Sequence, residues 1–173
     1  MQGQRSATMG QPRGGQQGQG QGQQQGARDR QRQRIHATDQ QGDQYRASTQ
    51  ACDRVRTQAR VMAKAAKGGG VNNPEFRQQH AQLRKEVQTM QQEQDRFMQG
   101  LSDEQRAVLQ DRIRKMDQAR DRIHMQSQEM DQEMSQASPN RQRIATQARE
   151  MERAMKDWQK QYRGLGSDMG ISQ

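Results

Sequence analysis

Apolar residues recur in alternating steps of four and three along most of this chain. The positions Phe76, His80, Leu83, Val87, Met90, Gln94, Phe97 and Leu101 form one such run. Leu109, Ile113, Met116, Ala119, Ile123, Ser127, Met130, Met134 and Ala137 form a second, and Ile144, Ala148, Met151, Met155, Trp158, Tyr162 and Leu165 a third. A repeat of this kind is the seam of a helix packed lengthwise on other helices. A looser stripe precedes them: Ile35, Tyr45, Cys52, Val55, Ala59, Met62 and Ala66. It thins before Tyr45, where Gly42 also lowers helix propensity.

Stop and start signals separate the runs. The stretch "KGGGVNN" (67–73) ends the first helix and lets the chain reverse. Asn73 is then a cap, Pro74 a first helical residue and Glu75 a carboxylate at the positive helix end. Gly100 is placed to close the second helix in the left-handed conformation. Ser102 to Gln105 reads as a capping box that opens the third. A stop followed by a start argues for a tight reversal, which pairs Phe76 with Ile123, Leu83 with Met116 and Met90 with Leu109. By the same register His80 faces the stretch from Arg120 to His124. In "ASPN" (137–140), Ser138 caps a fourth helix and Pro139 takes its first position.

The reading is an all-α chain: an extended antiparallel four-helix bundle built from coiled-coil-like hairpins. A disordered Gly/Gln-rich tail spans 1–26, and a helical domain spans 27–165 with helices at about 27–67, 74–98, 102–137 and 139–163. Residues 166–173 form a frayed end. The third helix, about 50 Å long at 1.5 Å per residue, outruns its neighbours. Its overhang pairs with helix one or with a second chain. The expectation is a homodimer buried along helices one and three, with Met130 and Met134 at its contact.

Composition fits a narrow core. Only 28% of the chain is hydrophobic and 3% aromatic, with a mean hydropathy of -1.46. A thin helical seam tolerates this and an ordinary globular core does not. No stretch approaches the apolar run of a membrane span. The first thirty residues contain no apolar segment, so the chain as written is expected to be soluble and cytoplasmic, or periplasmic if a leader has been removed. The single cysteine, Cys52, excludes an intramolecular disulfide.

The net charge is +9, and it is uneven: residues 1–67 hold 12 of the 29 Lys and Arg and 4 of the 20 Asp and Glu. Arg28, Arg30, Arg32 and Arg34, followed by Arg54, Arg56, Arg60 and Lys64, form a basic run suited to the phosphates of a nucleic acid or another polyanion. With only Tyr45 nearby, base stacking has little to work with. The blander account is a solvated face offset by Asp39, Asp43 and Asp53. His80, His124, Met130 and Met134 combine imidazole with thioether, ligands that suit a soft ion such as Cu(I). The same methionines read equally as core filler. No catalytic grouping of Ser, His and Asp, no phosphate-cradling loop and no HExxH is present, so no enzyme and no cofactor are expected.

The stretch "LSDEQRAVLQDRIRKMD" (101–117) resembles the LTxxQ segment of the Spy/CpxP family, small all-helical periplasmic chaperones and stress or metal sensors. Ser102 stands for the Thr, and Leu101 and Gln105 match. The resemblance implies a helical cradle, dimeric in that family, that holds unfolded clients on basic and apolar patches. Leu101 and Gln105 would be structural positions there. The functional expectation is a non-enzymatic binding protein, chaperone-like or scaffold-like, with protein clients or itself as partner. Alternatives are a polyanion binder and a Met/His soft-metal binder.

Overall fold

The structure, a computed structural model, describes residues 35–171. The tail 1–26 and the residues Arg28, Arg30, Arg32 and Arg34 lie outside them. Four helices follow in order: α1 (Asp39–Lys67), α2 (Pro74–Gln99), α3 (Asp103–Met134) and α4 (Arg141–Asp168), with a single 3-10 turn (Gly70–Asn72) between α1 and α2.

Helix boundaries depart from the sequence expectation at four places, each for a local reason. The first helix does not run through Ile35–Thr38. Thr38 caps α1, its hydroxyl accepting from the Gln41 amide at 3.2 Å while Gln41 Oε1 accepts from the Thr38 amide at 2.9 Å. Ile35 is buried and the Ala37 amide donates to Met169 O at 3.0 Å, so this segment closes one end of the bundle. Gly100 ends α2 with φ −74°, right-handed rather than left-handed. Its value lies in close approach, because Gln41 Nε2 donates to Gly100 O at 2.6 Å and a Cβ would stand 3.1 Å from Gln44 Oε1.

At the third turn, α3 stops at Met134 rather than Ala137, and the cap is Asn140 rather than Ser138. Pro139 disfavours helix in the residue before it. Asn140 Oδ1 accepts from the Gln142 and Arg143 amides at 3.0 and 3.2 Å, and the Asn140 amide donates to the buried Glu133 at 2.8 Å. The C-terminus is not frayed over 166–171. Gly170 takes φ +71°, and the Ile171 and Gly170 amides donate back to Gly166 O and Ser167 O at 2.9 and 3.2 Å. This is a Schellman closure, which glycine enters without steric cost.

The helices run up, down, up, down, and neighbours are antiparallel. Close backbone packing joins α1 to α2, α1 to α4 and α3 to α4. The pair α2 and α3, joined by the shortest turn, packs less closely and meets through long side chains. His80 and Arg84 both reach Asp131, at 2.9 and 3.4 Å, and Arg120 reaches Asp95 at 3.5 Å. The expected α2–α3 register is therefore not the one adopted: His80 meets Asp131, beyond the stretch Arg120 to His124. The reason is that α3 is seated by its packing on α4 and the turn after α2 does not dictate its height.

The seam positions form the core. Every apolar member of the α2 and α4 runs is buried, as are Leu109, Met116, Ala119, Ile123 and Met130 of α3. One end is aromatic. Tyr162 stacks on Trp158 and Tyr45 with centroids 4.3 and 4.5 Å away, and Phe97 meets Tyr162 edge-on at 5.4 Å. Such pairs contribute about 0.5–1.5 kcal/mol each beyond burial.

Candidate binding face and interlocked helix caps

The basic residues of α1 are joined by others that the sequence reading missed. Because α1 and α4 pack closely, Arg56 shares a groove of about 380 Å³ with Lys156, Gln159, Lys160 and Arg163. At the other end, Lys67 lines a groove of about 400 Å³ with Arg141 and Arg149. Within the helices, α1 and α4 together carry 13 Lys and Arg against 7 Asp and Glu, whereas α2 and α3 carry 10 against 12. Positive charge is thus segregated to one side. The signal for α4 is in the sequence when charge is counted helix by helix instead of over residues 1–67 and the remainder.

The face is not uniformly free. Arg60 pairs with Glu152 at 2.8 Å, and Lys156 reaches the same carboxylate at 3.4 Å. Hydrogen bonding from Arg60 is the main force holding the Glu152 carboxyl below its usual range. Arg56 donates to Gln159 at 3.2 Å, and Gln159 donates to Asp53 at 2.7 Å. Arg54 points to the other flank, where it pairs with Glu86 of α2 at 2.8 Å. Lys64 is exposed.

The Met/His candidates do not converge. His124 is exposed and hydrogen-bonded to Gln128 at 2.8 Å, while Met130 is fully buried. His80 is held by Asp131, with Arg84 on the same carboxylate. Among the described residues no group of three or more His, Cys, Asp or Glu is placed to hold a metal ion. Met130, and the half-buried Met134 packed against the core, are already covered within one chain. The apolar overhang that was to seek a second chain is therefore not present: α4, with 28 residues, lies along the 32 of α3. Cys52 is buried, and burial pushes its thiol pKa well up.

The second feature is at the end of the bundle where α1 and α3 begin. Ser102 and Gln105 form the expected capping box, with the same distances as the box at Thr38 and Gln41: 2.9 Å to the glutamine oxygen and 3.2 Å to the hydroxyl. The two boxes interlock. Gln41 Nε2 donates to Gln105 Oε1 at 2.9 Å, and Gln105 Nε2 donates to Gln41 Oε1 at 3.3 Å and to His36 O at 3.2 Å. Sequence reading found one copy and missed Thr38 and Gln41. The signal was present: "TDQQ" and "SDEQ" share the hydroxyl, the acid and the glutamine at the same spacing.

Comparison with protein-family models, with curated proteins and with solved structures gives no match to this chain. Among the described residues no helix is long and apolar enough to cross a membrane.

Proposed function

We propose that this chain is a non-enzymatic helical binding protein, chaperone-like or scaffold-like, that engages its partner through the basic side formed by α1 and α4. The observation that carries this reading is the segregation of charge: 13 basic against 7 acidic residues on α1 and α4, and a slight acidic excess on the other two helices. A broad field of one sign attracts extended, acidic segments without demanding a shaped pocket. The large apolar residues left exposed, Val61, Val108 and Met125, are few, so charge leads the interaction. The test is suppression of client aggregation at equimolar protein. The variant Lys156→Glu/Lys160→Glu/Arg163→Glu should lose most of the effect with its helicity intact. An inert wild-type protein removes the chaperone version.

The same face supports a second reading, a non-specific binder of nucleic acid or another polyanion. Affinity for duplex DNA should then fall steeply with salt, as counterion release requires. Binding that ignores salt would refute it.

A further inference from the structure

The aromatic end of the core contains polar atoms that the protein does not pair. Gln94 occupies a seam position of α2 and is wholly buried. Neither the nitrogen nor the oxygen of its carboxamide has a hydrogen-bond partner. The Ser48 hydroxyl of α1, and the Trp158 indole N–H and Tyr162 hydroxyl of α4, are buried in the same condition. These groups share one region. Tyr162 touches Trp158, Tyr45 and Phe97. Gln94 lies three residues before Phe97 and Ser48 three after Tyr45, so each is one helical turn from a ring of the cluster. Ser48 lies toward the Tyr162 phenol and opposes the upward push that burial gives its pKa, although the two hydroxyls are not at hydrogen-bonding geometry.

Four such side chains on three helices meet in one region, and buried amides and hydroxyls are costly to leave unpaired. Their chemistry defines the guest. All four are neutral, so nothing among them balances an ion. Gln94 offers two donors and an acceptor, Ser48 and Tyr162 each donate and accept, and Trp158 donates only. The guest must be neutral, must both donate and accept, and must fit between packed rings. Water meets all three conditions.

We propose that Gln94, Ser48, Tyr162 and Trp158 form a buried hydration site in which internal water bridges α1, α2 and α4. At about three hydrogen bonds per buried water, about two molecules serve the set. The site also fixes the height of α2. A slip of one heptad would bring Val87 or Leu101 to the place of Gln94 and leave the water and Ser48 without it.

The test is water-selective NOE and ROE spectroscopy on the full chain. Trp158 is the only tryptophan, so its indole N–H is a single signal. Cross-peaks from long-lived water, dipolar in sign, are expected at the Gln94 carboxamide and at the indole N–H. Tyr162→Phe keeps the ring and removes its exchanging hydroxyl, and the Gln94 cross-peak should survive it. Gln94→Met, which fills the space with an apolar chain, should abolish the indole cross-peak. Absence of the Gln94 cross-peak in the wild-type protein, or its loss in Tyr162→Phe, overturns the site. The wild-type spectrum decides by itself if the methionine variant does not fold.

Discussion

The side-chain amides of Gln41 and Gln105, 64 positions apart, hydrogen-bond each other in both directions, at 2.9 and 3.3 Å. Each also completes the capping box of its own helix. The pair thus converts two local helix starts into one tertiary contact that holds the beginning of α1, the turn after α2 and the beginning of α3 together.

Removing either glutamine should cost more than a cap. Gln41→Ala takes the donor from the partly buried bond to Gly100 O and leaves the buried Gln105 carboxamide a partner short, so a loss of roughly 2 kcal/mol is expected, above the ~1 kcal/mol of an ordinary cap. Gln105→Ala should match it. The double variant should cost clearly less than the two together, because the same contact is removed twice. Additive losses in urea denaturation would show the boxes to be independent.

His80 should make the fold sensitive to mild acid. Burial lowers its pKa, outweighing the opposite pull of Asp131. An unfolded chain protonates histidine near about pH 6.5. The folded chain takes up the proton less readily, so stability is full above that value and declines as pH falls through the lower folded value. His80→Gln keeps a donor for Asp131 and does not titrate. Its melting temperature should fall less than that of the wild type between about pH 7 and pH 5, and equal slopes would exclude His80 as the source.

Two glycines of α4 should respond oppositely to alanine. A Cβ at Gly166 would stand 2.6 Å from the Tyr45 ring, which is clamped by its stack on Tyr162. Gly166→Ala should cost about 1–3 kcal/mol through overpacking. At Gly164 the obstacle is the Arg112 guanidinium, at the end of a flexible side chain that pairs with Asp168 at 2.6 Å in a partly exposed setting. That head can move at small cost, so Gly164→Ala should be near neutral or gain up to about 1 kcal/mol of helix propensity. Thermal melts of the two variants settle the contrast.

Met130 and Met134 separate a chain-internal core from an interface between chains. Met130→Glu places a charge in a fully buried position and should destabilise the fold by about 4 kcal/mol or more. Met134→Glu, half-buried, should cost about 1 kcal/mol. Circular dichroism melts measure both. If Met130→Glu keeps its helicity and halves the mass seen by light scattering, the methionine belongs to an interface.

The sequence by itself determined the helices and their inner faces. The steps of four and three from Phe76 to Leu101 and from Ile144 to Leu165 select the buried residues because 3.6 residues per turn puts them on one stripe. Caps were legible where a residue acts on its own neighbours, as at Asn73 and Ser102. Tertiary structure decided what depends on two distant segments. Which helices pack closely is one such matter, since the short turn after α2 allows α3 to sit against α4 instead. The basic groove of Arg56 with Lys156, Lys160 and Arg163 is another: residues about a hundred positions apart become neighbours only when α1 lies along α4. The pairing of Gln41 with Gln105, and the unpaired Gln94 at a seam position, belong there too, because a hydrogen bond is set by where both partners are held and local pattern fixes only one of them.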